Sequence, residues 1–365
     1  MRVALLIPFL FVAAEAATIP AIDSARGEKI FHSEGCAVCH RVGGIGGKSA
    51  PDIGASIDRN LTPDQLAATM WNHAPVMWSA MRQSGTPIPQ LSEQDAGDLF
   101  AFFYASRYFD RRGDAARGKR TFTARHCADC HGLTARGPGG AVPVSEWQSL
   151  RSPVDLAGAM WNHAGQMKEE FARRKLMWQE LAPQELADIF LYARNFPATR
   201  HEKMTFELGS GERGAEIFAE KGCAGCHKDQ LRLEPRLRDK TVAEIAVAMW
   251  NHAPQMSPGT TPRFEPGEMG QLLNYLWAKA YFAGAGDANR GRRIFAAKGC
   301  GSCHGDPASG APDLSKIRGS FSSISIVSAL WRHGPAMLDR MRQKKMPWPR
   351  FEGRDMSDLI AFLNR

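Results

Sequence analysis

The chain has 365 residues, 44% of them hydrophobic and 23% charged, and its 46 basic and 38 acidic residues give a formal net charge of +8. These values are ordinary for globular proteins and exclude a long disordered chain and a polytopic membrane protein, while the length predicts two or three domains. The charge is too small to indicate a nucleic-acid partner, and eight cysteines are too few for a disulfide-dense miniprotein.

The first predicted element is a leader sequence. Arg2 is followed by an apolar run over residues 3–14 and then by Ala14-Glu15-Ala16-Ala17. This pattern predicts a secretory signal peptide over residues 1–16, with an uncleaved anchor as the alternative. No later segment reaches 18 apolar residues, so we expect a soluble protein exported to the periplasm. Export would permit disulfides, which leaves two possible fates for the cysteines.

A short amphipathic helix is predicted to open each of four sequence repeats. Each copy carries an Arg-Gly pair and, five residues before the next cysteine, a phenylalanine. The pairs are Arg26-Gly27, Arg117-Gly118, Arg213-Gly214 and Arg290-Gly291, and the phenylalanines are Phe31, Phe122, Phe218 and Phe295. This repetition predicts four small units in place of two or three larger domains.

All eight cysteines follow these helices, in four copies of the motif Cys-x-x-Cys-His. The copies are Cys36, Cys39 and His40; Cys127, Cys130 and His131; Cys223, Cys226 and His227; and Cys300, Cys303 and His304. This spacing is typical of c-type haem attachment, in which two thiols bond the vinyl groups on one haem edge and the histidine binds iron. A redox-active Cys-x-x-Cys and ordinary disulfides are the alternatives. Because no cysteine is left over, the pattern favours four covalent haem c groups with their iron, and the four histidines as proximal ligands.

A second helix in each repeat is predicted to end in Met-Trp-Asn-His, or Leu-Trp-Arg-His in the fourth. Thr62-Pro63-Asp64-Gln65 and Ser152-Pro153 predict capped starts for the first two copies. The helix is predicted to end just after the signature, at Pro75, Gly165, Pro254 and Pro335 in turn. The signature tryptophans are predicted to pack against haem or core, with electron relay as the alternative. They are Trp71, Trp161, Trp250 and Trp331.

A third helix closes each repeat, around residues 98–103, 188–192, 271–275 and 358–362, and Ser92 is a good start for the first copy. No stretch shows sustained strand alternation, so the predicted fold class is all-α. The predicted domains are residues 22–109, 113–200, 210–283 and 286–365. We refer to them as repeats 1 to 4. Because the linkers between them are short, neighbours in sequence are expected to pack near each other.

Each repeat resembles a class I cytochrome c of the small bacterial type, and the resemblance covers nearly the whole chain after the leader. It implies four tandem helical domains, each built around one covalent haem, with the last helix packed on the first. It also implies a loop proline that supports the proximal histidine. Pro51 and Pro312 match that position, Pro235 fits it by spacing, and Pro143 competes for it with Pro138.

The resemblance further implies a methionine as the sixth iron ligand. Each repeat has one four residues after the signature histidine: Met77, Met167, Met256 and Met337. A thioether suits low-spin haem iron and raises its reduction potential. Three alternatives stay open. The methionines could fill the core, Met346 could serve in repeat 4 alone, or the signature histidines could bind iron. Those histidines are His73, His163, His252 and His333.

These features favour a tetrahaem protein that relays electrons between a redox donor and a redox acceptor by outer-sphere hops, with no catalytic residue and no small-molecule substrate. One alternative is a haem enzyme with one open coordination site, such as a peroxidase or a sulfur- or nitrogen-compound oxidoreductase. Repeat 2 would then be the candidate. The other is an electron-transfer subunit of a membrane respiratory complex. A basic cluster near the end of the chain is either a solvated face or a docking patch for an acidic partner. It comprises Arg340, Arg342, Lys344, Lys345 and Arg350.

The three histidines outside these patterns, His32, His126 and His201, are predicted to be surface residues. His126 adjoins Cys127, so a contact with a second haem is the alternative for that residue.

Overall fold

The computed structural model describes residues 22–42, 44–53, 62–108, 113–147, 151–195, 208, 211, 213–238, 240–256, 262–284, 286–317 and 321–365. The predicted leader and His201 lie outside these residues. The described part of the chain is helical, as predicted. The strands found in it form one small antiparallel hairpin, Arg41–Val42 with Ile45–Gly46. Within the same residues, no helix is both long and apolar enough to span a bilayer.

Three principal helices recur in every repeat. The first helices are Ser24–Ser33, Ala115–Ala124, Gly214–Glu220 and Ala288–Ala297. The signature helices, named for the Trp-Asn-His sequence, are Pro63–Ser84, Pro153–Asn162, Val242–His252 and Ser323–Gln343. The closing helices are Glu93–Tyr108, Pro183–Arg194, Glu268–Tyr281 and Asp355–Leu363.

Short turns hold the cysteine motifs and the loops after them. The motifs lie on the helical turns Cys36–Cys39, Cys223–Cys226 and Gly301–His304 and on the 3-10 turn Cys127–Asp129. Two further α-helices are Ala164–Arg173 and Glu234–Leu237. The remaining 3-10 turns are Pro138–Gly140, Val144–Glu146, Asp229–Leu231, Ala253–Gln255, Pro307–Ser309 and Leu314–Lys316.

The helix starts agree with the capping signals. Thr62 and Gln65 form a reciprocal capping box, and the Ser152 hydroxyl accepts a hydrogen bond from the backbone N–H of Asp155 at 3.2 Å. Ser92 likewise accepts from the backbone N–H of Asp95 at 3.1 Å. Each bond satisfies a backbone donor that the first helical turn leaves unpaired, which is why these local sequences predict the starts well.

The predicted helix ends are wrong at two of the prolines. Pro75 and Pro335 lie inside helices that continue for several more residues. Proline removes the hydrogen bond to the carbonyl four residues earlier, which for Pro75 is that of Trp71. The indole N–H of Trp348, from repeat 4, donates to this carbonyl at 3.0 Å. A partner from a distant repeat therefore satisfies the group that Pro75 leaves free.

Repeats 2 and 3 differ from repeats 1 and 4 at this point. The signature helix of repeat 2 ends at Asn162 and a new helix begins at Ala164, while that of repeat 3 ends at His252 and passes into a 3-10 turn. Pro254 thus lies in the 3-10 turn that follows the helix, and Gly165 lies inside the new helix.

Within each repeat, the first helix crosses the closing helix at the Arg-Gly pair. A Cβ on Gly27 would lie 2.0 Å from the backbone oxygen of Asp98, so the helices approach too closely for any other residue. Arg26 donates from Nε to the buried Asp98 carboxylate at 2.8 Å. The same glycine contact and arginine pair recur in repeats 2 and 4. This crossing explains why the Arg-Gly pair repeats.

The four repeats form two pairs that do not follow chain order. One apolar core joins repeats 1 and 4 and a second joins repeats 2 and 3. Of the neighbours in sequence, which are expected to pack near each other, repeats 2 and 3 share a core, whereas the main partner of repeat 4 is repeat 1.

An aromatic cluster links the two pairs. Tyr104, on the closing helix of repeat 1, packs 4.3 Å from Trp277 on that of repeat 3, measured between ring centroids. Phe100 stacks on Phe282 nearby, with 6.3 Å between centroids and 5° between planes. Repeat 1 thus contacts repeat 3 as well as repeat 4.

Candidate haem sites

The residue before each motif has a left-handed backbone conformation. It is glycine in three repeats, with φ of 79° at Gly35, 75° at Gly222 and 71° at Gly299. In repeat 2 it is His126, with φ of 61°. The His126 ring forms a 2.9 Å contact with the Asp129 carboxylate. His126 therefore occupies a position that favours glycine, and its side chain has a local partner.

The two thiols of each motif lie one helical turn apart, and all eight cysteines are free. Burial raises the pKa of the Cys36 thiol to about 11 and that of Cys127 to about 12. It also raises the pKa of Cys223 and Cys300. A raised pKa favours the neutral form of the first thiol in each pair. This setting argues against a redox-active Cys-x-x-Cys, which needs an accessible thiolate.

The proximal imidazoles have a fixed orientation. Nδ1 lies 2.9 Å from the Pro51 carbonyl oxygen in His40, 3.1 Å from that of Val142 in His131, and 2.9 Å from that of Pro312 in His304. Because a carbonyl only accepts, Nδ1 carries the proton and Nε2 keeps a lone pair for a metal.

Repeat 3 departs from this arrangement. His227 Nδ1 lies 3.4 Å from the Leu231 carbonyl oxygen, so Pro235 does not support this ring and that expectation is wrong. In repeat 2 the acceptor is Val142, the residue before Pro143, and Pro138 starts a separate turn. Pro51 and Pro312 lie where the resemblance implies.

In three repeats the signature histidine faces the proximal histidine. The ring centroids lie 6.4 Å apart for His40 and His73, 6.0 Å for His131 and His163, and 6.2 Å for His227 and His252. The rings of His304 and His333, both in the described part of the chain, are not in contact.

Two of the signature histidines have lowered pKa values. Burial lowers the pKa of His73, and the nearby His40 ring lowers it further. Burial also lowers the pKa of His163, as does His131, although a hydrogen bond to the Ala159 carbonyl acts in the opposite direction. A lowered pKa favours the neutral ring in both residues, which is the form of imidazole that binds metals.

The four predicted methionine ligands lie in different local structures. Met77 and Met337 are inside continuous signature helices, Met167 is inside the following helix, and Met256 follows a 3-10 turn. Met77 packs on the core of repeats 1 and 4, and Met167 and Met256 pack on that of repeats 2 and 3. In repeat 4, Met346 lies beside the motif, with its sulfur 4.0 Å from the Ser302 hydroxyl. The assignment of a methionine as sixth ligand stays a prediction.

Repeat 2 contains a cavity of about 840 Å³ beside its motif. Both thiols, His131, His163 and Met167 line it, and repeat 3 contributes Trp250 and Phe264 to its wall. This volume lies within the range of pockets that bury a large cofactor. Two thiols at one edge, an oriented imidazole and a mainly apolar wall are the donors and surroundings that covalent haem needs, so the residues fit the group.

The signature tryptophan and asparagine bind the opposite repeat in the pair, a role that the sequence analysis did not identify. Trp161 donates from its indole N–H to the Pro262 carbonyl at 2.8 Å. Asn162 donates to the Phe264 carbonyl at 2.7 Å and accepts from the Phe264 N–H at 2.8 Å. The shared tripeptides Pro262-Arg263-Phe264 and Pro349-Arg350-Phe351 were the signal that could have indicated it.

Repeat 3 makes the same kind of hydrogen bonds to repeat 2, through its own signature tryptophan and asparagine. Trp250 donates to the Gln179 carbonyl at 2.9 Å, and Asn251 makes two bonds to the backbone of Leu181, at 3.0 and 2.9 Å. The two repeats are thus joined by six equivalent bonds around a local two-fold arrangement. These tryptophans also pack in the core, as predicted.

Between repeats 1 and 4, only repeat 1 makes these bonds with its signature tryptophan and asparagine. Trp71 donates to the Pro349 carbonyl at 2.9 Å, and Asn72 makes two bonds to the backbone of Phe351, at 2.7 and 2.8 Å. In return, repeat 4 offers Arg332 in place of asparagine, and the buried indole N–H of Trp331 has no acceptor among the described residues. The Ser328 hydroxyl donates to the Leu91 carbonyl at 2.9 Å instead.

The helical fold, the paired thiols and the oriented imidazoles together define a haem-binding protein of the c type. The cytochrome c family model matches residues 24–104, 115–196 and 288–365, well over half of the chain, and the chain therefore belongs to the cytochrome c family. The matched regions cover repeats 1, 2 and 4. No curated protein and no solved structure matched the chain.

Proposed function

We propose that the protein is a periplasmic tetrahaem electron carrier, with one covalent haem c on each Cys-x-x-Cys-His motif. Family membership implies electron transfer by haem. The observation that carries the proposal is the proximal geometry: in repeats 1, 2 and 4, Nδ1 of the motif histidine is bound to a backbone carbonyl, which leaves Nε2 free for iron. Repeat 3 has the same motif and the same three principal helices.

The bound haems would supply reversible one-electron chemistry, and the chain would hold and space them. Repeat 3 helps to wall the repeat 2 cavity, and Trp348 of repeat 4 stacks on Trp71 of repeat 1 at 5.1 Å. We therefore expect fast electron exchange within each pair of repeats. Exchange between pairs would pass near the aromatic cluster of Tyr104 and Trp277.

The basic cluster near the end of the chain supports a docking role. Arg340, Arg342, Lys344 and Lys345 are exposed, and Lys344 Nζ lies 3.8 Å from the Cys303 sulfur. The cluster therefore lies at the edge where the fourth haem would be attached. We propose that an acidic redox protein docks here as donor or acceptor, whether free or part of a membrane respiratory complex. Charge pairing of this kind acts mainly on the association rate.

A spectropotentiometric titration with a spin-state measurement tests the carrier function. We expect four low-spin haems that take up four electrons and bind cyanide slowly or not at all. A high-spin haem that binds cyanide rapidly would instead indicate a haem enzyme with an open site. Reversal of charge at Lys344 and Lys345 should slow reduction by an acidic partner at least several-fold, and added salt should have little further effect on that variant.

A further inference from the structure

The three facing histidine pairs share one separation in different surroundings. The signature helix continues past His73, ends at His163, and becomes a 3-10 turn after His252. The centroid distance to the proximal ring nevertheless stays between 6.0 and 6.4 Å. The methionines four residues later have no such common setting, because two lie in helices and the third in a loop. The histidine position is thus the structurally constant one.

This separation is the one that two imidazoles on a single iron require. A metal lies about 2 Å from a coordinating ring nitrogen, and that nitrogen lies about 1 Å from its ring centre, so two opposed rings have centres about 6 Å apart. Stacked or edge-on aromatic pairs also occur at such distances, so the distance needs support from ring orientation.

Repeat 2 provides that support. Nδ1 of His131 is bound to the Val142 carbonyl, and Nδ1 of His163 lies 2.6 Å from the Ala159 carbonyl oxygen. Both protons are thereby assigned to Nδ1, and both Nε2 atoms keep free lone pairs. Both rings line the same cavity as the two thiols. An orienting bond of this kind on each ring is typical of metal-binding histidines.

We infer that His73, His163 and His252 are the sixth iron ligands in repeats 1, 2 and 3, so that these haems are bound by two histidines each. Met77, Met167 and Met256 are then packing residues beside the haem. Repeat 4 is the exception, because His333 does not contact His304, and there Met337 stays the predicted ligand. The inference rests on the proposed haem loading. It predicts three haems of low potential and one of higher potential, since thioether ligation raises the potential.

The ferric spectrum of the unmodified holoprotein tests this directly. Sulfur coordination gives ferric haem a weak red charge-transfer band that nitrogen coordination does not give. We expect this band at no more than the intensity of one haem in four. An intensity of three or four haems would overturn the inference. Haem content is measured on the same sample, because a shortfall there would contradict the proposed function and not the ligand assignment.

Two variants of repeat 2 provide a second test. His163→Ala should convert one quarter of the low-spin signal to high spin, and added imidazole should restore it. Met167→Leu, of similar volume, should keep four low-spin haems with an unchanged red band. The inference is overturned if Met167→Leu loses one haem's share of the red band while His163→Ala leaves the spectrum unchanged. If one of these variants fails to mature, the ferric spectrum of the unmodified holoprotein still tests the inference.

Discussion

At the residue scale, close contacts decide which positions can change. Gly27, Gly118 and Gly291 each face a backbone carbonyl on the closing helix, at a distance that leaves no room for Cβ. The adjacent arginines bind aspartates that are 1% exposed, Asp98, Asp188 and Asp358. In repeat 3, Gln271 takes the place of the aspartate, and Arg213 pairs instead with Glu216 on its own helix.

Substitution at this contact should therefore cost stability. Gly27→Ala would force the two helices apart, and we expect it to lower the free energy of unfolding by about 1–3 kcal/mol, as overpacking does. Gly165→Ala is the matched control, since a Cβ there meets nothing within 4 Å and lies in a helix. It should raise stability by about 0.5–1 kcal/mol. Denaturant unfolding of the holoproteins measures both, and equal effects would contradict the argument.

One half-buried carboxyl predicts a pH dependence of the stability. Burial raises the pKa of Asp64 to about 6, although a hydrogen bond to Ser323 in repeat 4 acts in the opposite direction. The folded chain then holds a proton that the unfolded chain releases near pH 4. Its contribution to stability is therefore largest below pH 4 and is lost as pH rises from about 4 to about 6.

Asp64→Asn should remove the loss of stability that occurs as pH rises from about 4 to about 6. We expect the variant to exceed the wild type in stability at pH 7 by about 1–2 kcal/mol, and to differ little near pH 4. Denaturant midpoints at pH 4, 5, 6 and 7 for both proteins provide the measurement. A constant difference across this range would show that Asp64 titrates normally.

At the scale of elements, local signals predict the helix starts but not all of the helix ends. The capping bonds of Thr62, Ser92 and Ser152 join residues three apart, so the sequence contains both partners in one short segment. The Trp71 carbonyl, which Pro75 leaves without its helical partner, is bound by Trp348, 277 residues away. No local pattern contains that information. Likewise, the Cys-x-x-Cys-His motif can be predicted from the sequence because its chemistry requires a fixed spacing. The contact between the rings of His73 and His40 depends on tertiary packing and cannot.

The asparagine bonds between repeats should contribute measurably to stability. Asn72→Ala leaves the buried N–H and carbonyl of Phe351 without this partner, and we expect a loss of about 2 kcal/mol or more. In repeat 4, Arg332 stands at the position of this asparagine, so an asparagine can be introduced there. Arg332→Asn should add the missing hydrogen bonds from repeat 4 to the backbone of repeat 1. We expect it to raise the free energy of unfolding by about 0.5–1.5 kcal/mol.

Arg332→Ala is the control for that gain. This exposed position should tolerate alanine within about 0.5 kcal/mol, so that any larger increase belongs to the new asparagine. Unfolding midpoints of the three variants and the wild type are compared under one condition. A stabilisation by alanine equal to that by asparagine would contradict the proposed bonding.

At the scale of the whole molecule, the four repeats form two pairs that are joined through repeats 1 and 3. The sequence predicts four similar units, but it does not predict which units share a core, since the contacts join residues from 70 to 279 apart. The pairing brings the last repeat back to the first. Repeat 4, which carries the basic cluster, thus shares its apolar core with repeat 1.

The central claim is that all four motifs carry covalent haem, including that of repeat 3, which the family model does not match. Intact mass spectrometry of the mature holoprotein measures this most directly. We predict the mass of the polypeptide plus four haems, and the mass of the substituted polypeptide plus three haems for the Cys223→Ser, Cys226→Ser double variant. A fully matured wild-type protein with three haems, and a double variant that also has three, would contradict the account.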